Sequence, residues 1–127
     1  MDDTEVTLEQ EIERCRPWLQ DALDAGGNTH TIEDVVDAVR KRIMQFWPAE
    51  DACAVTEILH FPRKKSLHIF LAGGNLDTIV DMQESAEHFA KMNGCAMMSV
   101  SGRKGWQRVL SKHGYGNTLT VLEKRIS

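Results

Sequence analysis

The apolar residues of this chain change their period once, and that single change limits the fold more than any other feature. Up to residue 43 they recur at helical spacing; from residue 52 they run in strands. Leu8, Ile12, Cys15, Leu19, Ala22 and Leu23 make one stripe, with Thr7 as N-cap, Gln10 as its capping-box partner and Gly26-Gly27-Asn28 as the stop. Pro17 has no backbone donor, so a kink or restart is expected near Arg16. Thr31 caps a second helix to about Arg42, striped by Ile32, Val35, Val36, Val39 and Ile43, and a short extended stretch, Met44 to Trp47, stops at Pro48. Strands then follow at Ala52–His60 and Ser66–Leu71, joined by a hairpin loop carrying Arg63-Lys64-Lys65. A turn at Ala72-Gly73-Gly74-Asn75 leads into a helix from Leu76 to about Met92, then a strand at Ala96–Val100, a short helix from Gly105 to His113, and a last strand at Leu119–Leu122. Helices first and strands later give an α+β domain: two N-terminal helices, a central mixed sheet of about five to six strands, and two further helices.

With 127 residues, 42% hydrophobic and 27% charged, the chain suits one domain spanning 1–127 with its own core. It has no run of ~18 apolar residues for a membrane span, and its acidic start is unlike a signal peptide. Its three cysteines suit a reducing cytoplasm. Charge is unevenly placed: residues 1–37 hold eleven acids and two bases, residues 38–127 thirteen bases and eight acids. The acidic helical segment, about residues 1–30, is therefore expected to pack on the basic body, its apolar stripe supplying most of the energy. A sequence pI near 5.7 argues against nucleic acid as a partner.

Few residues carry chemistry by spacing alone. His30, His60, His68, His88, His113 and the cysteines have no metal-ligand spacing, so no metal is expected; His60 and His68 flank a hairpin as potential cross-strand neighbours. Glu57, in mid-strand, is a candidate proton acceptor or simply a paired surface carboxylate. Gly73-Gly74-Asn75 before a helix meets the minimum for an anion site, though a turn with an N-cap is the reading such a short motif favours. Gly102-Arg103-Lys104-Gly105-Trp106-Gln107-Arg108 has two readings: an interface in which Trp106 anchors and Arg103, Lys104 and Arg108 surround it, or a packed Trp106 among solvated bases.

The order of elements resembles the GNAT family of N-acetyltransferases over nearly the whole chain. The most specific stretches are Ala90-Lys91-Met92-Asn93-Gly94-Cys95, similar to the family's exit from its long helix, and Val109 to Tyr115, similar to the end of its last helix. The resemblance implies acetyl-CoA as donor, with its pyrophosphate on the helix that follows Gly73-Gly74-Asn75. It also implies a Gln/Arg-x-x-Gly-x-Gly/Ala motif, which fails here in both registers: Phe70 and Asn75, or Leu71 and Leu76, stand at its defining positions. Leu110 stands where the family places a tyrosine acid, and Tyr115 falls on a packing position.

Shorter phrases, among them Gly27 to Thr31, Phe46-Trp47-Pro48 and Gly102 to Trp106, resemble small tailed-phage proteins labelled hypothetical or acetyltransferase-like. Together these resemblances imply a GNAT-like protein that has lost its chemistry and serves as a virion-associated structural or binding component at the head–tail connector, in the tail or among ejected proteins. Its expected partners are other virion or phage proteins or further copies of itself, its place the host cytoplasm or the virion, and it is expected to bind no cofactor. The alternatives are an active acetyl-CoA-dependent N-acetyltransferase, using Gly73, Gly74 and Asn75 for the donor and Glu57 as base, and a small regulator of a host protein.

Overall fold

Thr7 opens α1 (Leu8–Ala25) by the expected reciprocal cap: its hydroxyl accepts from the Gln10 backbone and the Gln10 side chain accepts from its own N–H. The computed structural model describes residues 7–102, 105–116 and 121–126. α1 runs through Pro17 without the restart that was one of the two expected outcomes. Pro17 lies on the exposed face, where water can meet the Glu13 carbonyl that the proline leaves unbonded. α2 (Ile32–Arg40) carries the same kind of box on Thr31 and Asp34 and ends two residues early, because Arg42 takes a positive φ of 62° that turns the chain into the sheet.

Four strands follow in sequence order: β1 (Met44–Pro48), β2 (Ala52–His60), β3 (Lys65–Gly74) and β4 (Met97–Val100). The first three are antiparallel neighbours, and β4 joins β3 in parallel across α3 (Leu76–Met92). Among the described residues the sheet therefore has four strands, not five to six. Of the expected last strand, residues 119 and 120 lie outside the described residues, and Val121 and Leu122 are exposed and unpaired in any strand. The short C-terminal helix resolves into α4 (Gly105–Leu110) and a 3-10 turn, Ser111–His113, closed by Gly114.

The sheet is covered on both faces. Ile12, Cys15, Leu19 and Leu23 of α1 and Ile32 and Val35 of α2 bury against Met44, Cys53, Val55 and Leu71. On the other face Leu67, Ala86 and Ala90 form a second cluster with Trp47, Ile58, Phe89 and Met98 around them. Trp47 meets Phe89 edge-on and donates to buried Thr56, whose hydroxyl donates to Gln45, so this face includes a satisfied polar chain. The acidic segment docks as its stripe requires. Glu9 pairs with Arg40 of the body at 2.6 Å, while Glu11 and Glu13 pair within α1 with Arg14 and Arg16.

Candidate functional site

Register decides which side chains of the sheet meet. Glu57, His68 and Ser99 are direct partners across β2, β3 and β4, and Ser66 lies two residues from His68 on the same face. The His68 ring bridges two hydroxyls, with Nδ1 2.8 Å from Ser99 Oγ and Nε2 2.7 Å from Ser101 Oγ. Ser66 Oγ extends the chain from Ser99 at 3.1 Å. The result is a continuous path, Ser66–Ser99–His68–Ser101, running from fully buried Ser66 to exposed Ser101. Burial holds the His68 pKa below the ordinary imidazole value, and the Glu57 carboxylate beside it opposes that shift. At neutral pH the ring is uncharged, so one nitrogen keeps a lone pair that can take a proton.

Two departures from regular pairing shape the surroundings. Thr56 pairs with Ile69 and Val55 with Leu71, which leaves Phe70 as an extra residue in a β-bulge. The His30 ring, from the loop between α1 and α2, packs on Phe70 with centroids 4.7 Å apart, and Thr29 Oγ1 holds His30 Nδ1 at 2.8 Å. Beyond the bulge the sheet is notched. β4 ends at Val100 and the Ser101 N–H still donates to the Ile69 carbonyl at 3.2 Å, whereas β3 runs on to Gly74 with no fourth strand beside it among the described residues. His68 and Ser101 thus stand where the sheet edge is interrupted.

Glu57 lies beside His68. His60 faces Lys65, so the two histidines are not cross-strand neighbours, and among the described residues no cluster of three or more His, Cys, Asp or Glu could hold a metal ion. Gly73 is needed for close approach: a Cβ there would lie 2.8 Å from Trp18 Cβ on α1. Gly74 turns with φ +102° against the backbone of Asp51 and Ala52, which a Cβ would strike. Both glycines are thus occupied by packing. Asn75 caps α3, its carboxamide oxygen accepting from the N–H groups of Asp77 and Thr78, while its own N–H donates to the Asp51 carbonyl. Leu110 is buried, and half-buried Tyr115 donates its hydroxyl to Met98 Sδ on the face opposite His68. Trp106 is half-buried, its ring meeting Gly102, and Arg108 is exposed; Arg103 and Lys104 lie outside the described residues.

Spacing could not reveal the hydroxyl–imidazole path. Ser99 and Ser101 are two apart and so share a face, but pairing them with His68 needs the parallel register across a 17-residue helix.

Three solved structures share this fold. An acetyltransferase from Trypanosoma brucei aligns at a TM-score of 0.52 and 13% identity, covering 87% of this chain and 93% of its own. A probable acetyltransferase aligns at 0.61 and 15%, covering 96% and 95%. Glucosamine-6-phosphate N-acetyltransferase from Arabidopsis thaliana aligns at 0.58 and 17%, covering 92% and 95%. No protein-family profile and no curated protein matches the chain. The chain has a GNAT-like fold. The expectation of a chemically silent virion component is corrected by these neighbours, two acetyltransferases and one probable acetyltransferase, which fit the alternative of an active acetyltransferase better.

Proposed function

We propose that this protein is an N-acyltransferase that moves an acyl group from a thioester to an amine, with His68 as the proton acceptor. The observation that carries this reading is the His68–Ser101 pair at the mouth of the notch between β3 and β4, in a fold shared with acetyltransferases. A bound acyl thioester supplies an activated carbonyl; the chain's own residues must position the amine and remove its proton. Ser101 is exposed and reaches His68 Nε2, so an amine at the notch can pass its proton through the hydroxyl to the imidazole as its nitrogen bonds the thioester carbonyl. The C–S bond then breaks and the thiolate leaves as free thiol, with the proton returned from the imidazolium. Ser99, anchored on buried Ser66, holds the other ring nitrogen and fixes the ring plane. Glu57 stabilises the imidazolium that forms.

The fit to the donor is uneven. The interrupted sheet edge suits a slender thioester arm, which can pair with strand backbone. The N-terminus of α3 suits the pyrophosphate of coenzyme A poorly, since the glycines before it are packed against Trp18, Asp51 and Ala52, and the Asn75, Asp77 and Thr78 N–H groups are already bonded. Incubation with acetyl-CoA and a panel of primary amines, read by mass spectrometry, tests the reading. An acetylated amine that disappears with His68→Gln supports it; the same yield from the variant would remove His68 from the reaction.

A further inference from the structure

The N-terminus of α3 is closed to anions in three independent ways. Of the backbone donors there, Asn75 N–H is bonded to the Asp51 carbonyl at 2.8 Å, and the Asp77 and Thr78 N–H groups are bonded to Asn75 Oδ1 at 2.9 and 3.3 Å. Asp77 places a carboxylate in the first turn, satisfying the helix dipole from within. The space that glycines leave open in an anion cradle is taken up here by Trp18 at Gly73 and by Asp51 and Ala52 at Gly74. A diphosphate at this end would have to displace the cap, face a like charge and find almost no donor free.

We infer that the enzyme recognises its thioester donor through the pantetheine arm and not through a nucleotide diphosphate. The inference rests on the acyltransferase reading and narrows it to a donor class, S-acyl pantetheine thioesters, for which the adenine nucleotide adds little. Among the described residues no strand pairs with β3 beyond Ile69 and Val100, which leaves strand backbone for the amide groups of such an arm, whereas three N–H groups at the start of α3 are already bonded.

Calorimetric titration of the whole chain with acetyl-CoA and with S-acetyl-pantetheine separates the possibilities. Dissociation constants within about tenfold of each other, less than one strong charge-assisted contact would give, are the expected result. Acetyl-CoA binding tighter by more than that would overturn the inference and leave the acyltransferase reading standing. Binding of neither would overturn both. The double variant Asn75→Gly, Asp77→Ala frees the two capped N–H groups and removes the anion; glycine at an N-cap costs little stability. It should tighten acetyl-CoA and leave S-acetyl-pantetheine unchanged. If it weakens acetyl-CoA selectively, Asn75 and Asp77 grip the donor and the inference fails.

Discussion

At the scale of single residues, His68 connects stability with chemistry. Its pKa is depressed in the fold, chiefly by burial, so the charged ring is disfavoured relative to the unfolded chain. His68 therefore costs nothing above the ordinary imidazole pKa, and stability falls as pH drops through about 6.5 towards the lower folded value. Denaturant titrations between about pH 5 and 8 should therefore find the wild type losing stability at the acid end, with a smaller loss in His68→Gln. The same group should set the acidic limb of kcat/KM. Because Glu57 raises the His68 pKa, Glu57→Gln should move that limb to lower pH; a limb that stays in place would dissociate Glu57 from the histidine. Glu57 was visible in the sequence as a lone mid-strand carboxylate. What makes it relevant is its register partner, and no residue-level pattern records that pairing.

Elements were more legible, because period and caps are local. The Thr7 capping box, the Thr31 cap, the β2 limits and the span of α3 follow from residues within a few positions of one another. The bulge at Phe70 and the strand's continuation to Gly74 did not, since both depend on what packs across the sheet: His30 on the bulge and Trp18 on Gly73. α1 gives the plainest energetic test. Leu19 is 1% exposed in the main core, whereas Glu13 forms an exposed pair with Arg16. Leu19→Asp should cost at least ~3 kcal/mol in chemical denaturation, through lost packing and a buried unpaired charge. Glu13→Gln should cost only a few tenths, as exposed pairs do. Equal losses would mean that charge rather than the apolar stripe holds the helix. Gly73→Val should force α1 off the sheet and cost ~1–3 kcal/mol, measured the same way.

Across the whole molecule, the two halves of the proposed thioester-dependent acyl transfer differ in how visible they are. The donor end was the part that sequence motifs address, and its glycines proved to be packing and turn residues. The acceptor end is assembled only when β4 returns in parallel beside β3 and brings Ser99 and Ser101 to His68. Missing motif residues therefore led to an expectation of lost chemistry, while the groups able to move a proton lay in three separate strands and a loop. The most direct measurement is amine-dependent release of free thiol from acetyl-CoA and S-acetyl-pantetheine, comparing wild type with His68→Gln. The account predicts release that requires the amine and falls by ~10²–10⁴-fold in the variant. No amine-dependent release from either donor, or equal release by both proteins, would contradict it.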